Sequence, residues 1–110
     1  MARDPGLEEL VREHLGNLEG LSETTMFGGR AWLLHGNLVC AAGDAGVLVR
    51  LGAGNDAWAI AMPGIARMTM GQRVMAGWVR AGPDAYGDDA VRARLLDAAL
   101  AFVRGLPPKN

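Results

Sequence analysis

Leu7, Leu10, Val11, His14, Leu15 and Leu18 recur at helical spacing near the start of the chain. One side of residues 5–19 is therefore apolar, and the segment predicts an amphipathic helix. Pro5 suits its first turn, and Gly16 and Gly20 weaken its far end. From residue 24 to 51 the pattern changes to short apolar runs. They are divided by Gly28-Gly29, by Gly36-Asn37 and by the polar turn Gly43-Asp44-Ala45-Gly46. Such punctuation predicts an antiparallel meander, with a bend or bulge at the glycine pair and a tight hairpin at Gly36-Asn37. Asn55 can cap a short helix through Met62 that Pro63-Gly64 stops. Residues 66–70 and 74–81 read as two more strands joined by Gly71-Gln72-Arg73. Asp88 caps a closing helix lined by Val91, Leu95, Ala98, Phe102 and Leu106, ended by Gly105 and Pro107-Pro108. The expectation is an α+β domain of order α-β(3)-α-β(2)-α, an antiparallel sheet of about five strands with helices on one face.

A two-residue turn at Gly36-Asn37 would set His35 opposite Leu38 and Leu33 opposite Cys40. A four-residue loop at Gly43 to Gly46 would set Ala42 opposite Val47, Cys40 opposite Val49 and Leu38 opposite Leu51. One sheet face then carries Ala31, Leu33, Leu38, Cys40, Ala42, Val47, Val49 and Leu51, almost wholly apolar, and should receive the helices. The other carries Arg30, Trp32, Leu34, Val39, Ala41, Leu48 and Arg50. In the last strand Met75, Gly77 and Val79 separate from Val74, Ala76, Trp78 and Arg80, and the latter set belongs with the mixed face. The candidate interaction face is thus Arg30, Trp32, Arg50, Trp78 and Arg80.

Two tryptophans and three arginines among aliphatic residues make that face too apolar to be left wholly in water. Three readings stand side by side. Arginine stems can simply lie over tryptophan rings and cover the sheet. The face can be a contact surface for another protein or a second copy of the chain, since Trp and Arg dominate interface energies. Or Arg30, Arg50 and Arg80 can hold a small anion, because guanidinium forks match carboxylate and phosphate geometry.

Composition narrows the function classes. At 110 residues, half of them hydrophobic, residues 1–110 make one domain with one core and a tail at 107–110. A net charge of −1 removes the diffuse attraction on which sequence-independent nucleic-acid binders rely, so direct nucleic-acid binding is disfavoured. One cysteine, Cys40, and no charged-then-apolar leader point to a reducing cytoplasm. Every apolar stretch is broken well short of the roughly 20 residues that span a bilayer. Cys40 and His35 would lie diagonal on the hairpin with no carboxylate to orient the histidine, so no catalytic residue is assigned. His14 reads as a boundary residue of the first helix. One cysteine and two distant histidines supply no metal site, and no cofactor is expected. Glu8-Glu9 and Asp88-Asp89 fall in first helical turns, where they complement the dipole. Gly28-Gly29 lacks the spacing and trailing Lys-Ser/Thr of a phosphate loop. The six methionines read as gap fillers.

The order Met26-Phe27-Gly28-Gly29-Arg30, hairpin, Val47-Leu48-Val49-Arg50, short helix, Met68-Thr69-Met70, Gly77-Trp78-Val79 resembles the N-terminal domain of the TfoX (Sxy) regulators. The resemblance runs over nearly the whole chain. It implies the same α+β order in a secretion-chaperone-like two-layer architecture. It also implies a standalone single-domain member of a family whose named proteins regulate competence gene expression and join this domain to a C-terminal helical one. Met26, Phe27, Gly28, Gly29, Arg30, Arg50, Met68, Gly77 and Trp78 match the family pattern, which assigns them no catalytic role. A regulatory or interaction module, a homodimer among its forms, is the leading expectation, and a small-anion binder or enzyme the alternative.

Overall fold

The computed structural model describes residues 4–26, 29–43 and 45–108. Helix α1 (Pro5–Leu15) starts where the Asp4 carboxylate accepts the Leu7 N–H at 3.1 Å, with Pro5 in the first turn. It buries Leu7, Val11 and Leu15, one turn apart, and ends at Gly16, short of the expected residue 19. Six strands follow among the described residues: β1 (Leu21–Met26), β2 (Gly29–Leu34), β3 (Asn37–Gly43), β4 (Gly46–Arg50), then α2 (Ala57–Ile60), β5 (Ile65–Met70) and β6 (Arg73–Ala81). A short helix α3 (Pro83–Tyr86) leads into α4 (Asp89–Arg104). The sheet is antiparallel throughout, in the order β1-β2-β3-β4-β6-β5.

Several expectations need correction. Leu21–Met26 is a separate strand, paired antiparallel with β2 from Leu21 opposite Leu34 to Met26 opposite Gly29. The bend expected at Gly28, with Phe27, lies outside the described residues. The strand is hard to read from sequence because Glu23 sits at an inward position, where a charge is normally costly. Its carboxylate is fully partnered, as described below. α3 was not expected, and α4 buries Leu95, Leu96, Ala99, Leu100 and Val103. Val91, Ala98 and Phe102 flank that stripe. Asp88 caps α4 as expected, accepting the Ala90 and Val91 N–H groups at 2.9 and 3.1 Å. The tail is tied at Pro107, whose carbonyl accepts from Asn37 Nδ2 at 2.9 Å.

The decisive departure is in the β2–β3 hairpin. The turn residues are His35 and Gly36, with φ of 50° and 83°, and Leu34 pairs with Asn37. Two successive left-handed residues form the turn whose twist matches that of the strands it joins. The turn is thus one residue earlier than Gly36-Asn37. A bulge follows: Leu33 pairs with Leu38, but Trp32 pairs with Cys40, leaving Val39 as the extra residue. Val39 and Cys40, consecutive in sequence, both enter the core under the helices. The β3–β4 register is as expected at Cys40 opposite Val49 and Ala42 opposite Val47, but beyond the bulge the expected Leu38–Leu51 pair is absent: Leu38 joins the open-side cluster and Leu51 the helix-side core.

Buried side chains from all four helices pack against one side of the sheet, around Trp32, Val39, Cys40, Val47, Val49 and Val79. The opposite side has its own cluster, Ala31, Ala41 and Leu48, joined by Met26, Leu38, Met68 and Trp78, and no helical residue belongs to it.

Candidate functional site

β4 and β6 run side by side, pairing Leu48 with Arg80 and Arg50 with Trp78. Alternation then puts all four on the side away from the helices. The Arg50 guanidinium carbon lies 5.2 Å from the centre of the Trp78 ring, a cation–π distance, and 5.5 Å from that of Phe102 on α4. Arg50 and Trp78 therefore meet on the open side, with Arg80 two residues further along β6 on the same side.

Trp32 and Arg30 do not join them. The β3 bulge at Val39 sets both on the side of the helices, and Trp32 is only 1% exposed. They meet the Glu23 carboxylate, which ties α1, β1 and β2 into one knot. Oε1 accepts from Arg12 Nε at 3.0 Å and from the Trp32 indole N–H at 3.1 Å. Oε2 accepts from Arg12 Nη2 at 2.7 Å and Arg30 Nε at 2.8 Å. Arg12 and Arg30 hold the Glu23 carboxyl down at about 2, against partial desolvation. Arg30 is thereby neutralised and separated from Arg50 and Arg80, so the three-arginine anion site does not assemble.

What the sequence reading missed is the methionine content of the open face, and Leu38 beside it. Leu38, Leu48, Met68, Met70, Met75 and Trp78 line a groove of about 100 Å³ there. A neighbouring hollow of about 90 Å³ adds Met26 and Arg80. Met75 had been assigned to the helix side. A second irregularity moves it: Arg67 pairs with Val79 but Thr69 with Val74, so Met68 alone spans residues 75–78 of β6. Gly77, at φ 85°, lies within that expanded stretch. Met70 and Val74 remain 57% and 55% exposed. The alternating Met68-Thr69-Met70 was the available signal, because one side of an edge strand bearing long flexible apolar side chains belongs to a surface, not to a gap in the core.

Of the matched family positions, Met26 and Met68 thus lie on the open face, Gly29 begins β2, and Gly77 shapes β6.

Cys40 is wholly buried, and burial pushes its thiol well above the usual range. His35 is exposed at the turn, so the two form no nucleophile–base pair. Cys40 should resist an aromatic disulfide reagent in native buffer and react only in denaturant, which a spectrophotometric thiol assay reads directly. His14 bridges α1 to α4 through Nε2, 2.7 Å from Asp97 Oδ1. Among the described residues no three potential metal ligands cluster, and no helix is long and apolar enough to cross a membrane.

No curated protein and no solved structure matches the chain significantly. Residues 13–103 match the TfoX N-terminal domain, a stretch that begins within α1 and closes within α4, and the chain accordingly belongs to the TfoX N-terminal domain family.

Proposed function

We propose that this chain is a non-enzymatic interaction module that binds a partner protein through the open sheet face around Trp78, with Arg50 and Arg80 beside it. The observation that carries the reading is the asymmetry of the sheet. One side is packed under four helices, and on the other a second apolar cluster is covered by no described helix: Ala31, Ala41 and Leu48 are buried beneath half-exposed Met26, Leu38, Met68 and Trp78, with Met70 exposed at the edge. Partly exposed apolar area flanked by Arg and centred on Trp has the composition of contact surfaces. Membership of the TfoX N-terminal domain family supports a regulatory role tied to competence or transcription. The net charge of −1 favours a protein partner over direct contact with nucleic acid. A single buried thiol suits a cytoplasmic location.

Placing a photo-crosslinking residue at Ala66, exposed and paired with Arg80, tests this against the same residue at Ala101, exposed on α4. A defined partner should be captured from position 66, resist nuclease, be absent from position 101, and be lost with Arg80→Glu. Equal capture from both positions, or capture indifferent to Arg80→Glu, would remove the face from consideration.

A further inference from the structure

We infer that the occupant of the open face is an acidic amphipathic segment of a partner protein, an inference that rests on reading this face as a docking surface. The argument is one of charge. Among the described residues the six strands carry five arginines and one acid, Glu23. The two arginines on the helix side are both partnered: Arg30 by Glu23 at 2.8 Å and Arg67 by Asp56 at 3.0 Å. The other three, Arg50, Arg73 and Arg80, fall on the open side. Arg50 and Arg80 do so by pairing with Trp78 and Leu48, and Arg73 by pairing with Met70 of the groove. None of the three forms an ion pair with a described residue. A chain of net charge −1 therefore gathers three arginines without an ion-pair partner among the described residues on the side of the sheet that carries this apolar groove.

The complement of that pattern is an apolar stripe flanked by Asp and Glu. Methionine thioethers adapt to irregular apolar side chains, as grooves that receive amphipathic helices require. A second copy docked face to face about a two-fold axis would bring this positive field against itself, which opposes association. Three arginines also fall below the four to eight cations typical of segments that bind anionic bilayers.

The experiment uses the whole chain with its methionine ε-methyl groups isotopically labelled for NMR. Met68, Met70 and Met75 report on the groove, and Met62, packed against the helix-side core, is the internal reference. The probes are two synthetic amphipathic peptides with the same Leu/Phe stripe, one flanked by Glu and the other by Lys, together with a scrambled acidic control. The acidic peptide should shift the three groove methyls and leave Met62 unmoved. The Lys-flanked and scrambled peptides should bind more weakly. Arg73→Glu with Arg80→Glu, the first exposed, the second half-buried and neither in an ion pair with a described residue, should weaken the acidic peptide about tenfold and reverse the preference, with the unmoved Met62 methyl showing that the fold is retained. Equal binding of both stripes, preference for Lys, or shifts confined to other methyls would overturn the inference. So would groove shifts produced by protein concentration alone, which identify a second copy, or by vesicles containing phosphatidylserine, which identify a membrane surface. If the acidic peptide fails while crosslinking from Ala66 still captures an Arg80-dependent partner, the segment's chemistry is wrong and the docking face stands. If both fail, the docking face falls with it.

Discussion

Gly77→Ala should lower the free energy of unfolding by about 3–5 kcal/mol, which for a domain of this size moves Tm down by about 15 °C or more. Gly77 has φ 85°, where an L side chain is strained. A Cβ there would also stand 2.4 Å from both the Ala53 nitrogen and the Gly52 carbonyl carbon, backbone atoms that cannot swing away. The same residue closes a hydrogen-bonded junction. Its carbonyl accepts the Leu51 N–H at 2.7 Å and the Gly52 N–H at 3.1 Å, and its N–H donates to Asp56 Oδ2 at 3.3 Å. Asp56 is buried, and Arg67 first, then the Gly77 N–H, keep its carboxyl below the ordinary range. Displacing Gly77 therefore disturbs β6, the loop after β4 and the start of α2 together. Gly54→Ala is the control. Its φ is also 85°, but nothing lies within 4 Å of the added carbon, so only the backbone penalty of about 1–2 kcal/mol applies. Chemical denaturation followed by circular dichroism measures both. Equal losses in the two variants would show that the close approach is not what makes Gly77 necessary. Because Gly77 lies in the expanded stretch that puts Met75 and Trp78 on one side, its loss should also abolish binding at the open face.

Glu23→Ala should cost about 2–3 kcal/mol, because it strands the buried Trp32 indole N–H and leaves two guanidinium groups without their shared carboxylate. The knot also sets an acid limb. The folded-state pKa of Glu23 is about 2, below its ordinary value of 4.5. The folded protein thus binds fewer protons than the unfolded chain between those values. Glu23's contribution to stability is complete above roughly pH 4.5 and is lost as pH falls from there through about 2. Asp56, also depressed, adds stability with the same sign. Denaturation midpoints measured from neutral pH downward should therefore fall steeply for the wild type and less steeply for Glu23→Gln. Parallel curves for the two would mean that another carboxylate governs the limb.

Local chemistry made much of this legible in the chain. Asp88 before Asp89 begins a helix because a short acidic side chain satisfies the first free N–H groups. Between Cys40 and Val49 the β3–β4 register follows from alternation within each strand and the loop that joins them, and there the structure has it as read. Trp78, Arg80 and Arg50 share a face for the same reason. β1 was less readable, since its inward Glu23 is acceptable only once Arg12, eleven residues earlier, and Arg30, seven later, fold onto it. The apolar groove was likewise hidden in methionines whose type suits either a core or a surface.

The sequence alone determined an α+β domain of the TfoX N-terminal kind, with the cap of its last helix, the positions of most of its turns to within a residue, and which residues alternate within an unbroken strand. The short helix expected to start at Asn55 starts instead after Asp56, and the Asn55 amide donates to the Leu51 carbonyl. Tertiary structure decided which of its tryptophans is core and which is surface. Alternation defines sides only relative to a neighbour, and each extra residue in a bulge inverts the assignment beyond it. One residue at Val39 sent Trp32 inward to Glu23, and the expanded stretch around Gly77 brought Met75 outward beside Trp78. Whether such an insertion is tolerated depends on hydrogen bonds and packing between segments distant in sequence, which no local pattern encodes.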